Sequence, residues 1–195
     1  MDPRHPGRHR SLVVLCRANL IRSPLAAALL RRELLSLGRT DLGVTSAGLE
    51  VTPGAWPGAE AIEVAQERGV DLHRHRPVAV TGDLLDQAGM VLTMTENQRA
   101  ATGRLSRSAI PKTFTIVELA RLLSTEVAPP IETWGETARR AHRLRPLIPP
   151  ALEREDVPDP VGHTVYYHQV VADTLVGLVS EIAGHVVPIA ARGQG

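Results

Sequence analysis

The sequence predicts an α/β protein, a four-stranded parallel sheet with helices on both faces, and two observations carry that prediction. Four short runs of apolar and β-branched residues recur along the chain, and each is followed by residues of helical composition. The first run is apolar on both faces, as a central parallel strand must be. At 195 residues and 43% apolar content, the chain suits one domain over residues 11–190 with a single buried core.

The first strand is SLVVL, residues 11–15. After a loop containing the chain's one cysteine, Ser23 and Pro24 read as an N-cap and a first-turn proline. LAAALLRRELLSL then keeps helical spacing until Gly38 stops it. GVTSAG (residues 43–48) is the second strand and AEAIEVAQERG (residues 59–69) a helix closed by glycine. GMVLTM (residues 89–94) and KTFTIV (residues 112–117) are the third and fourth strands. TWGETARRAHRLR, within a Pro- and Arg-rich stretch over residues 124–155, is expected to add a mostly solvated helix. The last helix spans about residues 164–187, with Val165, Val171, Leu175, Leu178 and Ile182 turned to the sheet.

Twenty-two basic and twenty-one acidic side chains give a net charge of +1, no electrostatic basis for a nucleic-acid or membrane partner. One cysteine excludes an intramolecular disulfide framework and fits a reducing compartment. The basic residues 1–10 read as a flexible tail, and the apolar run behind them is too short for a signal peptide. No apolar stretch reaches transmembrane length, so a cytoplasmic protein is expected.

The sequence LCRANLIRSP follows the first strand, where open α/β sheets bind ligands. Cys16 and Arg22 have the spacing C-x5-R. A loop of that length can curl its N–H groups around one anion while the arginine clamps two phosphoryl oxygens. The helix that follows points its positive end at the same place. Such surroundings favour a nucleophilic thiolate, to which the Ser23 hydroxyl can donate. Phosphoryl transfer also needs a proton donor, and EDVPDPVG offers Asp156 and Asp159. Pro160 restricts the backbone at Asp159, which is read either as that donor or as an ordinary turn aspartate.

VLCRANLIRSP together with DVPDP resembles the low-molecular-weight protein tyrosine phosphatase family. SAGLEVTPGAWPG is similar to that family's variable loop, GVDLHRHR to its helix end and following His-Arg, and MVLTMTENQ to its third strand. The resemblance covers residues 12–123 and 156–183; residues 124–155 form an unmatched insertion. It implies a flavodoxin-like three-layer fold, a phosphocysteine intermediate on Cys16, and a cradle formed by the amides of Arg17, Ala18, Asn19, Leu20, Ile21 and Arg22. Arg22 would bind the equatorial oxygens and Asp159 would protonate the leaving group. Asn19, Ser23 and His75 would support the loop. No metal or other cofactor is implied. Phosphotyrosine in a protein, or a small phosphorylated metabolite, would be the substrate, with Leu20, Leu49 and Trp56 as candidates for the pocket rim.

The sequence departs from the family pattern in four places. Ala18 replaces a glycine, so its Cβ could strain or narrow the loop unless the backbone there adopts an ordinary conformation. Ile21 stands where many members have a second cysteine, which removes protection by a neighbouring disulfide. Val161 stands where an aromatic commonly flanks the substrate ring, and Pro77 and Val78 replace a small and a basic residue. Two other functions stay open on the sequence alone. A catalytically silent phosphate- or partner-binding protein is one; arsenate reduction, for which this chain lacks the resolving cysteines, is the other.

Overall fold

A computed structural model describes residues 8–125, 130–149, 151–152 and 154–188. Four parallel strands, β1 (Ser11–Cys16), β2 (Gly43–Gly48), β3 (Met90–Thr93) and β4 (Thr113–Thr115), lie in the order β2-β1-β3-β4. This is the flavodoxin-like arrangement, whose switch point falls between β1 and β3. The helices are α1 (Arg22–Ser36), α2 (Ala59–Glu67), α3 (Gly82–Gln87), α4 (Glu96–Leu105), α5 (Ile116–Leu123), α6 (Trp134–Leu144) and α7 (Val165–Gly184).

Strand β1 explains the layering. Its alternate residues Leu12, Val14 and Cys16 enter the larger core with α1, α2, α5, α6 and α7, while Val13 and Leu15 enter a smaller one with Leu85 of α3 and Ala109. A two-residue side-chain period thus buries both faces of one strand. The expected stop at Gly38 is met: its φ of 71° is cheap only for glycine, and Gly38 N–H and Arg39 N–H return to Leu35 O and Leu34 O.

Several local expectations are corrected. Helix α1 begins at Arg22, and Ser23 lies inside its first turn instead of capping it, because its hydroxyl is engaged with the Cys16 thiol. Strand β4 ends at Thr115, whose side chain accepts from Glu118 N–H and starts α5 two residues before the predicted strand end. The short α3, capped by Thr81, was not foreseen. Helix α6 is not mostly solvated: Trp134, Gly135, Thr137, Ala138 and Ala141 are buried along one side. In α7 the buried stripe runs His168, Val171, Ala172, Leu175, Val179 and Ile182, and Val165 is 40% exposed at the helix start. The tail expected over residues 1–10 falls mainly outside the described residues; Arg8–Arg10 form a 3-10 turn, and Arg10 pairs with Asp41. No helix among the described residues is long and apolar enough to cross a membrane.

Candidate active site

The Cys loop leaves the carboxyl end of β1 at the switch point. Cys16 is buried, and its Sγ accepts from the Ser23 hydroxyl at 3.0 Å and the Asn19 N–H at 3.2 Å. Both are bonds that a thiolate accepts better than a thiol does. Asn19 is the loop's keystone. It takes φ 55°, a left-handed conformation that Asn tolerates better than most residues. Its fully buried amide donates to Ser23 Oγ and Ser46 Oγ, each at 2.9 Å, and accepts from Val78 N–H at 2.9 Å.

His75 Nε2 lies 2.8 Å from Asn19 O, so this nitrogen carries the proton and donates. Burial lowers the His75 pKa; the bond to Asn19 raises it, and Arg31 and Arg76 lower it further. The neutral ring with its proton on Nε2 is therefore the supporting form near neutral pH.

Arg22 joins the Cys loop to the segment carrying the two aspartates. Its buried guanidinium donates to Val157 O at 3.0 Å and to Asp159 Oδ2 at 2.5 Å. Val157 N–H in turn donates to Met94 O at the end of β3, at 2.7 Å. Asp156 points elsewhere: it accepts from Glu96 N–H at the start of α4 and pairs with Arg154 at 3.2 Å. Cys16, Arg17, Ala18, Leu20, Ile21, Arg22, Asp159 and Val161 line one narrow pocket.

Most of the site residues expected from sequence therefore come together. Two rim candidates do not line this pocket. Trp56 is 55% exposed beneath the Arg76 guanidinium, 3.4 Å from the ring centre, and Leu49 is half-buried with its N–H on Cys16 O. Ala18 has the ordinary backbone conformation under which its Cβ brings no strain, because the left-handed turn falls on Asn19. Val78 matters through its main chain: its N–H donates to Asn19 Oδ1 and its carbonyl accepts from Gly48 N–H.

The sequence places Ser46 and Gly48 in the second strand and at the start of the variable-loop resemblance, with no role at the Cys loop. A Cβ at Gly48 would lie 2.9 Å from both Ala18 C and Arg17 O, so the loop backbone rests on this glycine. The small residues closing GVTSAG were the available signal. Among the described residues, no group of three or more His, Cys, Asp or Glu side chains converges as metal ligands would.

A parallel sheet with a thiol and a guanidinium at either end of one loop at its switch point defines a cysteine-based phosphate enzyme. The model of the family described as low molecular weight phosphotyrosine protein phosphatase matches residues 11–137. The chain belongs to that family and is a phosphatase. It is 30% identical over 121 residues to the probable low molecular weight protein-tyrosine-phosphatase EpsP of Ralstonia nicotianae, covering 62% of this chain and 78% of that one. It is 29% identical over 144 residues to a protein-arginine-phosphatase of Geobacillus stearothermophilus, covering 73% and 94%. The crystal structure of the Erwinia amylovora tyrosine phosphatase AmsI superposes with TM-score 0.67 at 20% identity, over 91% of this chain and 93% of that one. The YwlE arginine phosphatase of Geobacillus stearothermophilus gives TM-score 0.66 at 24% identity, over 90% and 91%. These two structures agree with the flavodoxin-like fold.

Proposed function

We propose that the protein hydrolyses phosphotyrosine in protein substrates through a phosphocysteine, with Cys16 as nucleophile, Arg22 as phosphoryl clamp and Asp159 as general acid. The observation that carries this reading is the shared pocket of those three side chains. Cys16 Sγ attacks phosphorus in line, the S–P bond forms as the P–O bond to the tyrosyl oxygen breaks, and Asp159 gives that oxygen its proton. Water then attacks phosphorus, with Asp159 taking its proton, and inorganic phosphate leaves as the thiolate is restored. The amides of residues 17–22 and the Arg22 guanidinium hold the equatorial oxygens in both steps. Since Asp159 pairs with Arg22 as a carboxylate in the free enzyme, an arriving phosphoryl group takes over the guanidinium, and the released carboxylate takes up a proton from water before giving it to the leaving oxygen.

Leu20, Ile21 and Val161 give the pocket apolar walls suited to an aryl ring. A phosphoarginine would present guanidinium N–H groups, and among the described residues the pocket's one carboxylate, Asp159, is the one assigned to proton transfer. A single thiol without a disulfide partner suits a reducing, cytoplasmic setting. A small aryl-phosphate metabolite is the second substrate class that these walls admit.

The test compares phenyl phosphate, whose leaving oxygen is basic, with the activated 4-nitrophenyl phosphate. Asp159→Asn is expected to lose about 10²-fold or more on phenyl phosphate and less on the nitro compound. Asp156→Asn should change little and Cys16→Ser should be inactive. Equal losses on both substrates for Asp159→Asn would remove it as the acid. Faster turnover of a phosphoarginine peptide than of its phosphotyrosine counterpart would overturn the substrate assignment.

A further inference from the structure

Beside the Cys16 pocket lies a second one of about 380 Å³, and Leu20, Ile21 and Val161 line both. Its far wall comes from the start of α2 and the start of α7, and Ala61 adds to the apolar lining. Among the described residues, Glu60 is the only carboxylate that lines it, and no lysine or arginine does. The Glu60 carboxylate makes no hydrogen bond or ion pair among the described residues. His168 lies deeper, 6% exposed. Its Nδ1 is 3.1 Å from Thr164 O, to which it donates, so in the neutral ring Nε2 is an acceptor without a partner among the described residues. His163, exposed and with its ring centre 4.4 Å from that of Tyr167 at a 36° tilt, lines it as well. The volume is ample for one long side chain, while the narrow Cys16 pocket holds the phosphorylated residue.

We propose that this neighbouring pocket is a specificity subsite that takes a lysine or arginine side chain next to the phosphorylated residue of the substrate. The aliphatic stem lies along Leu20, Ala61 and Val161, and the cationic head reaches Glu60 and His168 Nε2. The inference rests on the phosphatase reading above and narrows its substrate class to phosphotyrosine in a basic context.

Three phosphotyrosine peptides, identical except that both neighbours of the phosphotyrosine are lysine, alanine or glutamate, test it by kcat/KM, with 4-nitrophenyl phosphate as a substrate too small to reach the subsite. Wild type should prefer the lysine peptide over the glutamate peptide by about fivefold, as a part-exposed ion pair allows. Glu60→Gln should erase that preference and Glu60→Lys should reverse it, both with unchanged turnover of 4-nitrophenyl phosphate. Equal kcat/KM for the lysine and glutamate peptides in wild type, or a preference that survives Glu60→Gln, would overturn the subsite. Should no phosphotyrosine peptide be hydrolysed, the function proposed above fails, and fluorescence-polarisation binding of the same peptides to Cys16→Ser still decides the subsite. Tighter binding of the lysine peptide supports it there, and equal affinities overturn it.

Discussion

Gly48 shows how much of the Cys loop depends on a residue without chemistry of its own. The loop turns through Asn19 at φ 55°, which leaves Ala18 in an ordinary conformation and brings the Arg17 and Ala18 backbone down onto the end of β2. Leu49 N–H and Glu50 N–H then bond Cys16 O and Arg17 O at 3.1 and 2.8 Å. A methyl group at Gly48 would meet Ala18 C and Arg17 O at 2.9 Å and Val51 Cγ2 at 2.8 Å. The valine can turn away, but the two backbone atoms move only if the loop moves. Gly48→Ala is therefore expected to cost about 1–3 kcal/mol of stability by overpacking. A displaced Cys loop should also lower kcat/KM by about 10²-fold. Chemical denaturation together with 4-nitrophenyl phosphate kinetics checks both, and unchanged kinetics would show that the loop does not rest on Gly48. The same crowding explains what the sequence hid: Cys16, Arg22 and Ser23 are adjacent along the chain and readable as a motif, whereas Gly48 and Ser46 meet Asn19 and its neighbours only through the pairing of β1 with β2.

Among the elements, α6 departs furthest from its sequence. TWGETARRAHRLR carries so many charges that a solvated helix was the natural reading, yet Trp134, Ala138 and Ala141 belong to the larger core. Contacts with distant residues hold its end in place. Arg145, just beyond α6, donates to Glu118 of α5 at 2.7 and 3.1 Å and to Thr113 O at 2.9 Å, with its guanidinium 4.4 Å from the centre of the Phe114 ring. Arg99 of α4 reaches the same carboxylate at 2.6 Å. Glu118, 3% exposed, thus joins α4, α5 and the end of α6. Local periodicity sufficed for β1 and α1, whose apolar residues outnumber their charges, but an arginine does not announce whether it meets water or a buried carboxylate. Glu118→Ala would leave two arginines without their buried partner, and a loss of about 3–5 kcal/mol is expected. A solvated α6 would instead predict under about 1 kcal/mol. Thermal unfolding monitored by circular dichroism distinguishes the two values.

Across the whole molecule, the chain is closed at one end of the sheet and functional at the other. The Cys loop and Asp159 gather beyond the carboxyl ends of the strands, and these were legible because a contiguous motif and an Asp-Pro pair mark them. The opposite end is held by Arg39, which the sequence shows only as part of a polar turn, LGRTDLG. Arg39 is 5% exposed, and its guanidinium donates to Ile131 O at 3.3 Å, Val187 O at 2.8 Å and Glu132 O at 2.5 Å, with Asp41 as its counter-ion. Ile131 and Val187 are already linked by main-chain bonds, Ile131 N–H to His185 O and Val187 N–H to Ile131 O. One side chain therefore fastens the segment before α6 and the segment after α7 to the turn before β2. Burial lowers the Arg39 pKa, as does Arg10, while Glu132 raises it; a guanidinium, whose ordinary value lies far above neutral pH, stays charged there. Arg39→Met keeps the stem and removes the donors, leaving Val187 O and Glu132 O without theirs, while Ile131 O keeps Val187 N–H and Asp41 keeps Arg10. The expected loss is about 3–5 kcal/mol in urea unfolding. Arg39→Lys should recover only part of it, because an ammonium lacks the planar fork that reaches several carbonyls at once. The folded fraction of Arg39→Met should turn over 4-nitrophenyl phosphate with unchanged KM, since the Cys loop lies at the other end of the sheet. A raised KM in fully folded protein would show that the two ends are coupled through the strands between them.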